Sequence, residues 1–233
     1  MLFAHLGLTL ALLTGFAGPP PPDRLLSVFA GPPPPDRLLS VFAGPPPDRL
    51  LSARDLPAGY KVAENNQFGS VIDNLFDRAG TAGDRCRLPV EVPMPGTTPR
   101  HSVSAVFQND ARHSLDLETV TEILTAPGAK DARALAEAAI ALPGRCPAFE
   151  TPRFSIHLKP LPMPRAGDVS AAFPARFDMK AIGSDNTYVD VMFAEVAVAA
   201  KGDVSVTTIL FGYSEKHDAS LAEVTRRAVQ LLG

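Results

Sequence analysis

Apolar positions along the chain change period several times, and each change marks an element. Phe68, Val71, Ile72, Leu75, Phe76 and Ala79 fall at i, i+3, i+4, i+7, i+8 and i+11, which is one face of a helix. Asn65 or Asn66 caps its start and Gly80 ends it. Thr81 to Arg100 is rich in Gly and Pro and reads as loop. Ser102 to Gln108 reads as a strand, with Val103, Ala105 and Phe107 on one face. Leu115, Leu117, Thr119, Thr121 and Ile123 alternate with Asp116, Glu118 and Glu122. That spacing predicts a strand with one wet face, a helix being the competing reading. Lys130 to Leu142 is Ala-rich and predicts a helix that stops at Pro143-Gly144, just ahead of Cys146.

Four strand-like runs follow. Phe154, Ile156 and Leu158 alternate with Ser155, His157 and Lys159. Phe177, Met179 and Ala181 alternate with Arg176, Asp178 and Lys180. Gly183 to Asn186 is a turn, and Tyr188 to Ala200 is a long apolar run. Lys201-Gly202-Asp203 turns the chain into Val204 to Phe211, so these runs read as hairpins. Ser220 and Glu223 have capping-box spacing ahead of a helix on Leu221, Val224, Ala228, Leu231 and Leu232. Grouped strands with helices set apart predict the α+β class. The expectation is one domain, an antiparallel sheet of about five to six strands packed by helices.

The first 56 residues have a different character. Leu6 to Leu13 is apolar, and Gly15 and Ala17 stand at −3 and −1 before Gly18. This is the signal-peptide pattern over 1–17, with cleavage between Ala17 and Gly18. No Lys or Arg precedes the run, only His5. The run is shorter than the roughly 18 residues of a membrane span, so no transmembrane helix is expected in the mature chain. Leu13-Thr14-Gly15 is what precedes the lipidated cysteine of bacterial lipoprotein signals, but Phe16 occupies the cysteine position. Without a thiol there is nothing to acylate. A lost lipidation position favours a secreted form, and a chance match of three common residues is the alternative. Gly18 to Ala30 is then repeated letter for letter as Gly31 to Ala43, and Gly44 begins a third, incomplete copy. Residues 18–49 read as a Pro-rich linker, made by duplication or kept as a stiff spacer. The domain is expected over 50–233.

Composition adds limits. Hydrophobic residues make up 45% of the chain and charged residues 20%, enough for a real core. Thirteen Phe and no Trp predict an aliphatic and Phe-rich interior. A net charge of −3 gives no global attraction for nucleic acid, and no nucleic-acid partner is expected.

Candidate chemistry is sparse. Cys86 and Cys146 are the two cysteines, and an even count in an oxidising compartment points to a disulfide. Two buried thiols, or a reactive thiol beside Arg85, Arg87 or Arg145, are the alternatives. Zinc spacing, the nucleophile elbow, the phosphate loop and the dinucleotide fingerprint are all missing from the sequence. No catalytic residue, cofactor or metal site is therefore assigned, and no enzyme activity is expected. His113 with Asp110 or Asp116, near His101, is the candidate half of an acid–base pair, against solvated turn residues. His157 sits on a polar strand face, and Asp218, after His217, reads as a helix cap. Asp73, Asp77 and Asp84 form a loose acidic cluster with too few oxygens for a cation. Arg226-Arg227 reads as a solvated face.

Leu50 to Val62 (LLSARDLPAGYKV), Arg85 to Pro89 and Leu142 to Phe149 (LPGRCPAF) carry a resemblance. The chain resembles exported mycobacterial and related actinobacterial proteins, often lipoproteins. These share a sensor-like domain with the extracellular part of a receptor Ser/Thr kinase. The resemblance implies a curved antiparallel sheet with helices and a cleft, held by disulfides. It implies binding of a small or amphipathic ligand, or of an envelope protein, in the secreted or cell-envelope space. Two departures are Phe16 and the single possible bridge. The leading expectation is a non-catalytic, sensor-like exported protein with an apolar cleft. A hydrolase with a His–Asp site and a passive surface protein are the alternatives.

Export with cleavage predicts that protein recovered from the producing cell begins at Gly18. Intact-mass spectrometry reads this directly, and a mature chain still beginning at Met1 would refute it.

Overall fold

A computed structural model describes residues 47–63, 86, 102–109, 117–150, 154–179 and 191–233. All lie in one compact unit, Leu39–Gly233. The predicted helix at Phe68 to Ala79, His101, His113, the Asp73 cluster, Phe16, Ala17 and Gly18 fall outside the described residues.

The described strands form one antiparallel sheet of eight, in the order β1-β2-β3-β8-β7-β6-β5-β4. They are β1 Tyr60–Val62, β2 Ser102–Asn109, β3 Glu118–Thr125, β4 Ala148–Glu150, β5 Phe154–Leu158, β6 Val169–Met179, β7 Val191–Lys201 and β8 Val204–Gly212. The α+β class holds, but the expected five to six strands are too few. β1 and β4 have three residues each, too short to show a period of two. They sit at the two edges, where short strands offer little unpaired backbone.

β6 begins at Val169 rather than Arg176 because it accommodates Pro174. Pro174 lies one step beyond the last β5 pair, Leu158 with Ala175. Its carbonyl still accepts from Lys159 N–H at 3.4 Å. The missing proline N–H therefore falls at the end of that ladder and interrupts nothing. The β7–β8 hairpin turns on Gly202, whose φ of 58° suits glycine.

Among the described residues two α-helices pack the sheet, one on each face: α1 Ala129–Arg145 and α2 Leu221–Leu231. Ala132, Ala136 and Ala139 let α1 sit close over β6, β7 and β8. Beneath it Phe177 meets Phe154 and Phe211 edge-on, with ring centroids 6.0 and 6.2 Å apart. The helix does not stop at Pro143 as predicted. Pro143 and Gly144 lie within its last turn, Pro143 is buried, and Cys146 N–H closes the end on Leu142 O at 2.8 Å. A proline this near the C-terminus removes a single intrahelical bond, and burial of its ring offsets that loss.

Cys146 is bonded to Cys86, Cα to Cα 5.5 Å, across a separation of 60 residues. On the opposite face α2 lies on β7 and β8, beside an N-terminal strap that contributes Leu51, Leu56 and Tyr60. Ser220 Oγ accepts from Glu223 N–H, so Ser220 is the cap. Asp218, the predicted cap, is used elsewhere. Thr208 Oγ1 and Thr225 Oγ1 stand 2.5 Å apart and join β8 to α2.

In the chain-entropy account, a bridge over such a loop stabilises the fold by about 4 kcal/mol. Dithiothreitol, or Cys146→Ser, is expected to lower the urea midpoint by a corresponding amount. An unmoved midpoint would show that the bridge constrains nothing.

Candidate functional site

β3 is where the sequence reading departs most from the structure. Its predicted wet face is dry: Glu118 is 2% exposed and Glu122 is 0% exposed. Both sit on the α2 face, among Val120, Leu124 and the strap residues. A buried carboxyl must be met by donors. Glu118 accepts from Tyr60 Oη and from the backbone N–H groups of Asp218 (2.8 Å) and Ala219 (3.3 Å). His217 Nδ1 stands 3.9 Å from Glu118 Oε1. Burial, then the Glu118 contact, pushes the Tyr60 phenol well above its usual range. Glu118 thus pins the segment after β8 to the sheet. Asn109 Nδ2 adds a bond to Asp218 at 3.2 Å.

Glu122 is less well met. Its Oε2 accepts from Leu51 N–H at 2.6 Å, and Oε1 has no partner among the described residues. Burial pushes its carboxyl up to about 7. The Leu51 bond opposes that rise, and the nearby Asp55 carboxyl adds to it. Burial also works against charge on Asp55, but hydrogen bonds from Ser52 and the Arg227 guanidinium hold it below its usual value. Arg227 Nε reaches Asp55 Oδ1 at 2.7 Å, so this arginine is tied to the strap rather than lying on a wholly solvated face.

The α2 face is covered unevenly. A helix of 11 residues is about 16 Å long, while eight strands span about 34 Å. α2 lies on β7 and β8, and the strap fills the side towards β3 and β1. Over β5, β6 and β7 the same face stays open as a cleft of about 770 Å³.

Sheet register sets its floor. His157, Arg176, Phe193 and Gly212 form one cross-strand row. Lys159, Pro174 and Glu195 form the next, joined through the Lys159–Pro174 backbone bond. Leu161 closes one end, and Glu215 and His217 form the wall that Glu118 anchors. A Cβ on Gly212 would stand 3.2 Å from Leu117 O and 3.8 Å from His217 Cε1. The tight approach is to the Leu117 carbonyl, and the imidazole lies at ordinary contact distance. The His217 side chain is 3% exposed, and its Nε2 has no hydrogen-bond partner among the described residues.

The cleft is not the apolar one expected. Seven of its 12 lining residues are titratable. Arg176 and Asp178 neutralise each other at 2.8 Å, and His157 Nε2 lies 3.6 Å from Asp178 Oδ2. No Ser, Thr or Cys is among the lining residues described. Sequence reasoning had noted His157 and His217 singly, and no signal short of strand register could place them in one cleft. Among the described residues no group of three or more His, Cys, Asp or Glu could hold a metal ion. Among the same residues no helix is long and apolar enough to cross a membrane.

No family model matches the chain, and no curated protein matches it. Among solved structures it is similar to the extracellular domain of PknH from Mycobacterium tuberculosis, at 10% identity and a TM-score of 0.34. That alignment covers 56% of this chain and 61% of the other, a loose and partial likeness.

The Glu122 shift fixes the sign of a pH effect. A carboxyl raised in the fold from 4.5 to about 7 contributes most stability below pH 4.5 and loses it as pH rises through 7. The full loss is roughly 3 kcal/mol. Urea unfolding between pH 5 and 8 should show this decline, and Glu122→Gln should flatten it while raising stability at pH 8. An equal slope in the variant would place the effect elsewhere.

Proposed function

We propose that this chain is an exported, non-catalytic binding protein of the cell envelope or medium, with a sensor-like domain that takes a small ligand into the β5–β6–β7 cleft. One observation carries the reading. A cleft of about 770 Å³ lies on the sheet face that α2 and the strap leave uncovered, with charged and apolar groups side by side. That volume falls within the range of small-molecule sites. The Cys86–Cys146 bond supports residence in an oxidising compartment. The shared use of Asp178 by Arg176 and His157 supports a structural floor rather than a reacting pair.

The test plugs the cleft. Phe193 is half-buried on its floor, and Phe193→Arg would fill the space without entering the core under α1. Native mass spectrometry after incubation with an extract of the producing cells is expected to show an adduct on the unaltered chain and none on Phe193→Arg. The two should share one unfolding midpoint. The same adduct on both proteins, or no adduct on either, would overturn the reading.

A further inference from the structure

The charges of the cleft are sorted by strand. The basic side chains His157 and Lys159 come from β5 and the residue just after it, and Arg176, bound to Asp178, from β6. Of the acidic ones, Asp178 on β6 is taken up by Arg176 and His157, and Glu195 and Glu215 come from β7 and the segment after β8. Lys159, Glu195 and Glu215 form no ion pair among the described residues. Lys159 and Glu195 belong to one cross-strand row, with Pro174 between them. Two strand spacings separate their backbones by about 10 Å. Proline cannot bridge the two charges, so each is left to the cleft. Pro174 lies between the poles, Phe193 lies in the neighbouring row and Leu161 closes one end, all three half-buried.

We propose that the ligand is a zwitterion, namely a short peptide of two or three residues with free termini and an apolar side chain. This rests on the reading of the cleft as the binding site. The peptide's ammonium lies against Glu195 and Glu215, and its carboxylate against Lys159 and His157. An extended chain advances about 3.3–3.6 Å per residue, so two or three residues span the poles. The apolar side chain covers Phe193 and Leu161. His217 backs the acidic pole as part of its wall.

The probe is the tripeptide Ala-Leu-Ala, with its N-acetyl and C-amide forms, titrated into the full chain and followed by amide chemical shifts. The free tripeptide is expected to bind, and each capped form to bind at least about threefold more weakly. Glu195→Gln should abolish the preference over the N-acetyl form alone, and Lys159→Met the preference over the C-amide form alone. Equal binding of all three forms overturns the zwitterion. So does tighter binding of the N-acetyl form, which would mark an anionic ligand, or of the C-amide form, which would mark a cationic one. If no tripeptide binds while the extract adduct on the unaltered chain remains absent from Phe193→Arg, the zwitterion falls and the cleft stands. Loss of both results removes both.

Discussion

Two carboxyls on one face of β3 constrain this domain more than any apolar contact. A buried carboxyl without donors costs several kcal/mol, so wherever Glu118 and Glu122 are buried, donors must be brought to them. Glu118 recruits donors from β1 and from the segment that leads into α2. Glu122 recruits the backbone of the strap. Chain segments far apart in sequence are thereby fixed to one central strand. Hydrophobic burial supplies the drive, and the carboxyls choose the arrangement. A one-residue slip of β3 would move both acids to the α1 face, against Ala and Phe.

The two faces of the sheet solve different problems. Under α1, small alanines and interlocking phenylalanines make a close-packed layer. On the other face the covering elements are short, and the exposed remainder carries charge. The cleft lies on the part of this face beside α2 and the strap. Its wall is held by the same buried carboxyl that positions the entry to that helix, so the site and the fold share a foundation.

Much of this was legible from residue patterns. The alternation in β2 and β5, the turn into β8, the Ala-rich α1 and the Ser220 cap all follow from local rules. The failures have physical causes. Period-two alternation shows which residues share a face but not what covers that face, so Glu118 and Glu122 read as solvated. The strap that buries them opens the domain expected from Leu50, but no local pattern shows that Leu51, Leu56 and Tyr60 land over this face of β3. Pro143 reads as a breaker, yet it sits where a missing N–H removes little, and Pro174 is accommodated inside β6. The cleft residues come from separate strands and one loop, and only the order β7-β6-β5 brings them together.

The contacts of Arg49 carry a topological consequence. Its guanidinium donates to Leu232 O, one residue before the last, while Arg227 holds Asp55. The polypeptide therefore enters and leaves the domain at nearly one point, and the described path is close to a closed ring. Joining those ends with a short bridge and opening the ring at Gly202 would keep every strand pair. Connectivity is incidental to this architecture, which is defined by which strands lie side by side.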